Sequence, residues 1–320
     1  MDHADLPDLC SLPPIPAATP VDRLAALARQ GGVDLWYFDY EAALAGAVVA
    51  DQERPHALRE AYLTLLLPEE RTRHDRFVFA KDRLQFLATR ALVRTVLSQY
   101  ASVDPQAWRF ESGERGKPFI TEPQGHRGLL FNLSNTRGLI VCAVSTQVAQ
   151  LGCDTEDITR KTETVSIADH YFSPLEVRAL KGLPTGQHTQ RFFSYWTLKE
   201  SYIKARGLGL ALPLDQFSFL LDGRHDIGIA FDPRLADDDR RWRFDLRRLG
   251  SRHLVAVGAD TAGHALSLRA VHFVPLADSA LPSASTNDGP PTNRANDRAF
   301  DRANDAPSAG PAAAKGMDHV

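Results

Sequence analysis

The sequence predicts a mixed α+β fold, and three features predict it. Val33-Asp-Leu-Trp-Tyr-Phe is an apolar and aromatic run of strand length. Residues 68–100 then place Phe86, Leu87, Leu92, Val93, Val96 and Leu97 at helical spacing, which predicts one long helix. Trp108-Arg-Phe, Pro118-Phe-Ile, Leu129-Leu-Phe-Asn-Leu-Ser and Leu139-Ile-Val-Cys-Ala-Val-Ser follow as short strand-like runs separated by Gly, Pro and Asn. Arg73, Arg76, Arg83, Arg90 and Arg94 decorate the long helix; the expectation is a solvated face, with one or two of them available to hold a phosphate.

Further along, Val148-Ala-Gln-Leu-Gly-Cys-Asp-Thr-Glu is an apolar strand that ends in acids. Side chains alternate faces in extended chain, so Asp154 and Glu156 point the same way. That placement suits a pair of hard oxygen ligands, and it equally suits two solvated acids at a strand end. Ser173-Pro-Leu-Glu is a capping box with proline at the first helical position, which accounts for Glu176 without any chemistry. In the next helix Phe192, Trp196, Glu200 and Lys204 are spaced four apart, forming a slowly drifting stripe with Phe193 and Ile203 beside it. An ion pair between Glu200 and Lys204 is worth a few tenths of a kcal/mol on a helix surface. It explains that pair and leaves Lys199 and the acid strand unconnected. Gly207 and Gly209 stop the helix, because glycine accepts the left-handed conformation at little cost.

The 320 residues suit about two domains, and 43% hydrophobic content is enough for a sizeable core. Lys and Arg number 37 against 40 Asp and Glu, a net charge of −3, which argues against the broad basic surface of a nucleic-acid binder and makes any anion site local. Cys10, Cys142 and Cys153 have no metal-ligand spacing and form no disulfide framework, which points to a reducing compartment. Cys153 has no nearby histidine and is expected in the core rather than as a nucleophile. The first residues lack a leader pattern and no run approaches the roughly 20 apolar residues of a membrane span, so a cytoplasmic protein without membrane contact is expected. Residues 1–32 form an extension whose Pro- and Ala-rich start predicts disorder. Residues 278–320 are Ser, Asn, Asp, Pro and Ala with almost no large apolar side chains, which predicts a disordered tail. Inside it Arg294-Ala-Asn-Asp, Arg298-Ala-Phe-Asp and Arg302-Ala-Asn-Asp form a charged four-residue repeat, read as a solvated linker.

Leu151-Gly-Cys-Asp-Thr-Glu156 followed by Trp196-Thr-Leu-Lys-Glu-Ser-Tyr-Ile-Lys204-Ala-Arg-Gly resembles the paired motifs of the 4'-phosphopantetheinyl transferases, in particular the Sfp-type branch. Gly113-Glu-Arg-Gly-Lys-Pro118 resembles that family's Gly-Lys-Pro turn, Phe131-Asn-Leu-Ser its serine-containing strand, and Arg90-Ala-Leu-Val-Arg94 its first-domain helix. The likeness runs in order over residues 33–275, and several motifs in order are more specific than any one. It implies two similar, pseudo-symmetric α+β halves, residues 33–147 and 148–277, with CoA in the cleft between them. It further implies Mg2+ held by Asp154, Glu156 and Glu200, with Glu200 as candidate base and Lys204 beside the departing bisphosphate. Lys117 resembles the family's phosphate-contacting lysine, and Asn135, Thr136, Arg73 and Arg83 fall in the CoA-binding part of the pattern. Lys117 is not a Walker lysine, because Gly113 and Gly116 have the wrong spacing and Pro118 stands where Ser or Thr is required. The implied reaction moves phosphopantetheine from CoA to a serine of an apo acyl or peptidyl carrier domain, by an enzyme expected to be a monomer.

Ser134-Asn135-Thr136 departs from the usual Ser-His-Ser or Ser-His-Thr, so a neutral amide stands where an imidazole is expected. Gln85 occupies a position where arginine is common, with Arg83 as a substitute, and Glu70 and Arg73 fall where a relative of that branch has lysines. Two other classes use the same residues: a Mg2+-dependent CoA phosphohydrolase, and a non-catalytic module binding CoA or a carrier. A chain ending at Ala277 is expected to keep its thermal midpoint, because the removed segment offers no apolar face; a lower midpoint by calorimetry would show that the tail packs.

Overall fold

Side chains of one strand feed two different cores, and the architecture follows from that alternation. The computed structural model describes residues 6–44, 53–160, 164–221 and 227–277. In strand β1 (Val33–Asp39), Trp36 and Phe38 enter one apolar cluster while Val33 and Leu35 enter another. Strand β5 (Leu139–Ser145) repeats this, with Ile140, Cys142 and Val144 on the first side and Leu139, Val141 and Ala143 on the second. Their sheet has the order β11-β1-β5-β4, with β4 at Leu130–Thr136 and β11 at Leu268–His272. A second sheet has the order β6-β10-β9, from Gln150–Asp157, His253–Asp260 and Trp242–Leu249. In β10, Leu254 and Ala256 face a third cluster while Val255, Val257 and Ala259 face the one shared with the first sheet. The two sheets therefore pack through a common apolar layer, and helices cover their outer faces.

Outside the first sheet lie α1 (Pro20–Gln30), α2 (Tyr40–Leu44), α3 (Glu53–Thr64), α4 (Pro68–Arg76) and α5 (Ala80–Leu97), with a hairpin of β2 (Arg109–Ser112) and β3 (Pro118–Glu122). Outside the second lie α6 (Thr164–Tyr171), α7 (Pro174–Lys181) and α8 (His188–Arg206), with a hairpin of β7 (Phe217–Leu221) and β8 (Ile227–Phe231). No described helix is long and apolar enough to cross a membrane. The mixed α+β class is as the sequence predicts, and the tail from residue 278, with its repeat, lies outside the described residues.

Three expectations need correction. The helix expected over residues 68–100 is two helices: Phe77 is extended at φ −64° and ψ 126°, and Arg83 Nη2 donates to its carbonyl at 2.8 Å. The helical period that suggested continuity comes from α5 alone, since α4 is charged throughout and adds no apolar stripe. Second, Arg90 and Arg94 are not solvated; both are buried, and Glu70 pairs with them at 3.4 and 2.9 Å while also accepting from the Leu67 N–H at the head of α4. Arg94 also donates to the carbonyls of Pro105 and Trp108.

Third, residues 6–32 are ordered. Thr19 caps α1, and ahead of it the chain lies as a strap that inserts Leu6 into the outer core of the second sheet, Leu9 into the shared layer and Ile15 into the outer core of the first sheet. Its main chain bonds to both sheets: Arg248 N–H donates to Pro7 O at 3.1 Å and Ala270 N–H to Pro13 O at 3.0 Å. Arg248 also pairs with Asp8 at 2.9 Å. Prolines suit this path because an extended strap on a sheet surface needs few donors of its own. The strand β11, expected with residues 148–277, runs parallel to β1 in the first sheet, so both chain ends cross the expected division. Leu9→Ala is expected to cost about 2–5 kcal/mol of unfolding free energy by urea denaturation, the range for a buried leucine truncation, and an unchanged midpoint would show that the strap does not dock.

Candidate active site

A helix can approach a strand closely only where the strand has no side chain, and here β6 has Gly152 and β10 has Gly258 directly opposite it. A Cβ on Gly152 would fall inside the Ser201 carbonyl oxygen and the Ala205 nitrogen of α8. A Cβ on Gly258 would stand 2.8 Å from the Phe244 ring and 3.1 Å from Ser201 Oγ. Both glycines thus seat α8 against the sheet one turn from Glu200 and Lys204. Leu151 and Cys153 face the shared layer, so Asp154 and Glu156 face the opposite way, toward α8. The helix is buried on nearly every side from Arg191 to Ile203, rather than along one stripe. It ends at Gly207, whose φ of 64° is left-handed and whose N–H donates to Ile203 O at 2.9 Å.

Lys204 Nζ lies 2.7 Å from Asp154 Oδ1 and 2.8 Å from Ser134 Oγ, joining α8, β6 and β4 at one point. Glu200 and Lys204 are therefore not simply each other's surface partners. Asp154 and Glu156 are fully buried. Arg160 Nη2 approaches Glu156 Oε2 at 3.2 Å, its guanidinium lying over the Phe193 ring. Burial first, and then the neighbouring carboxylates, push Glu156 up to about 8. Burial and Asp154 likewise push Glu200 up to about 7. Burial opposes the charge on Lys204, yet Asp154 and Glu200 outweigh it and hold the ammonium above its ordinary value.

Among the described residues no three His, Cys, Asp or Glu side chains converge as a metal-holding group, and the Lys204 ammonium sits on one oxygen of Asp154. The donor set nonetheless fits a hard cation. Among the described residues, Asp154 Oδ2 and both oxygens of Glu156 are buried without a hydrogen-bond partner, and Lys204 and Arg160 stand as counter-charges where Asp154, Glu156 and Glu200 repel one another. A small dication bound by oxygen would relieve both the missing bonds and the repulsion.

The seam between β4 and β6 is unusual. These edge strands of different sheets are joined by side chains: Asn132 Oδ1 accepts from Cys153 N–H at 2.8 Å, Ser134 Oγ from Thr155 N–H at 3.2 Å, and Thr136 Oγ1 from Asp157 N–H at 3.2 Å. Thr136, a candidate for CoA, is thus buried and engaged with the main chain. Asn135 points the other way and accepts from Gln85 Nε2 of α5 at 2.6 Å, so two of the positions expected to depart from the family pattern contact each other. Arg83 sits at the bend between α4 and α5, and Arg73 stacks over the Phe77 and Phe86 rings there. Lys117 Nζ donates to Leu151 O at 3.0 Å and Ala205 O at 2.7 Å, capping the end of α8, and burial lowers it to about 8. Ser134 and Arg160 are site residues that sequence reasoning missed. Asn132, Ser134 and Thr136 alternate as small polar residues in an apolar strand, and that alternation is a usable signal; nothing comparable marks Arg160. Lys199 belongs elsewhere: it pairs with Glu176 at 2.8 Å and donates to the carbonyls of Leu214 and Phe217.

Residues 150–258 match the 4'-phosphopantetheinyl transferase superfamily, and residues 55–147 match the 4'-phosphopantetheinyl transferase N-terminal family. The 4'-phosphopantetheinyl transferase HetI of Nostoc sp. is 36% identical over 159 residues, spanning 50% of this chain and 67% of the relative. Sfp of Bacillus subtilis is 36% identical over 173 residues, covering 52% and 73%. The chain belongs to the 4'-phosphopantetheinyl transferases. A phosphopantetheinyl transferase of Thraustochytrium sp. extends the similarity to 218 residues at 33% identity, 64% of this chain and 74% of that one. The family match over residues 150–258 includes β6, α8 and the strand acids, and the N-terminal match includes Lys117 and the polar face of β4.

Because Lys199 and Glu176 are both buried, removing one strands the charge of the other. Lys199→Met is expected to cost about 3–5 kcal/mol in chemical denaturation without moving the β6 acids, and a loss below about 1 kcal/mol would show the pair is hydrated.

Proposed function

We propose that the protein transfers the 4'-phosphopantetheine group of CoA to a serine hydroxyl of an apo acyl or peptidyl carrier domain. The serine oxygen forms a bond to the pantetheine-bearing phosphorus, the bond from that phosphorus to the bridging oxygen breaks, and adenosine 3',5'-bisphosphate leaves. The observation that supports this most directly is the meeting of Lys204 of α8 with Asp154 of β6, since it joins both family motifs in one buried polar cluster.

Glu200, which burial and Asp154 hold above the ordinary carboxylate value, would take the serine proton. Lys204, partly exposed and positively charged, would stabilise the charge growing on the leaving bisphosphate. Asp154, Glu156 and Glu200 are the residues that would hold Mg2+, which supplies neutralising charge at a diphosphate. Asn135 and the basic residues Arg73, Arg83 and Lys117 are candidate contacts for the rest of CoA. Asn135 would contribute a hydrogen bond rather than a charge. The carrier belongs to fatty-acid, polyketide or nonribosomal-peptide synthesis, and the enzyme works as a cytoplasmic monomer in this reading.

Incubation with CoA, Mg2+ and a panel of apo carrier proteins, followed by intact-mass measurement, tests the activity. The expected result is a carrier heavier by one phosphopantetheine. Consumption of CoA with no change in carrier mass would indicate the phosphohydrolase instead, and binding without turnover the non-catalytic module. Glu200→Gln keeps the shape and one oxygen ligand while removing the proton acceptor. Turnover should fall roughly 10²–10⁴-fold with CoA still bound; near-normal turnover would move the base elsewhere.

A further inference from the structure

We propose that Ser134, on the first sheet, is a positioning residue for the transfer reaction: it fixes the Asp154 carboxylate and the Lys204 ammonium relative to each other across the seam between the sheets. The inference rests on the transferase reading above. A hydroxyl has one proton to give and two lone pairs to accept with. Lys204 Nζ at 2.8 Å and Thr155 N–H at 3.2 Å can only donate, so both lone pairs of Ser134 are taken. The proton then goes to Asp154 Oδ1 at 2.9 Å. Every hydrogen-bonding position of Ser134 is filled, and each partner lies on a different segment or plays a different part: main chain of β6, acid of β6, ammonium of α8.

The consequence for Asp154 is an asymmetric carboxylate. Oδ1 is held twice, by Ser134 and Lys204, whereas Oδ2 is buried and accepts nothing from the described residues. The oxygen available to a cation is thereby selected by a hydroxyl from the opposite half of the molecule. Asn132 provides the comparison within the same strand. It satisfies a β6 N–H just as Ser134 does, yet its side chain has no bond to the acids or to Lys204. The seam function is common to both residues, and contact with the site belongs to Ser134 alone of these two.

The test uses the full chain and compares Ser134→Ala, Ser134→Thr and Asn132→Ala. Three quantities are measured: kcat and KM for CoA, binding of Mn2+ as a paramagnetic probe by electron paramagnetic resonance without CoA, and the thermal midpoint. Ser134→Ala should lower kcat by about tenfold or more with KM for CoA changing far less, and should weaken Mn2+ binding by about tenfold. Ser134→Thr, which keeps the hydroxyl, should restore both to within roughly threefold. Asn132→Ala should lower the thermal midpoint while kcat and Mn2+ binding stay near wild type. Unchanged kcat and Mn2+ binding in Ser134→Ala, or equal losses in Asn132→Ala, would overturn the proposal and leave Ser134 a purely structural rung. If Ser134→Ala does not fold, Ser134→Cys, of similar size but a weak donor, is read against the same two outcomes. A wild-type chain that binds Mn2+ but modifies no carrier would count against the transferase reading, and the Mn2+ comparison would still decide Ser134. A wild type that does neither removes both.

Discussion

The contact between Gly152 and α8 is the constraint on which the remaining structure depends. With any side chain there, the Ser201 carbonyl would have to retreat, and α8 would ride up from the sheet. Glu200 and Lys204 sit on that helix, while Asp154 and Glu156 are two and four residues beyond the glycine on the strand. Their spacing is therefore set by main-chain contact, which is stiffer than contact through flexible side chains. The Lys117 ammonium on the carbonyls of Leu151 and Ala205 ties the same strand and helix together from the other side.

Two clusters of buried charge on α8 and its neighbours are treated differently. Glu176 is fully bonded, by the Ser173 cap, the Phe219 N–H and Lys199, so it contributes to a settled structure. Asp154 and Glu156 keep unmet bonding capacity among the described residues, and Glu156 and Glu200 have raised proton affinity. Unmet capacity in a buried place is destabilising unless something else completes it, and it is characteristic of sites prepared for a ligand.

Much of this was legible in the sequence where the signal is local. Leu139–Ser145 is a strand from end to end, the Ser173 to Glu176 capping box stands as expected, and Gly207 stops α8. What escaped depends on partners far along the chain. Leu6, Leu9 and Ile15 are isolated among prolines and make no periodic pattern, because their packing partners belong to three clusters rather than to one face. Arg90 and Arg94 look solvent-facing by residue type, and only Glu70 and the carbonyls of the following loop make their burial tolerable. In the candidate site, the strand acids and the helix residues stand out by motif, whereas Ser134 acquires its part only when β4 is laid across β6.

The strap also constrains the order in which the chain can finish folding. Its main-chain partners are Arg248 and Ala270, and β1 needs β11 as its parallel neighbour. The strap and β1 thus wait for residues far later in the sequence before they can dock. Pairings of such large sequence separation fold slowly. During synthesis, Leu9, Val33 and Leu35 remain exposed until residues of β10 and β11 are available to cover them. The apolar layer between the sheets is incomplete without β10 and β11, so a nascent chain stalled before residue 268 would be left with an open seam prone to self-association.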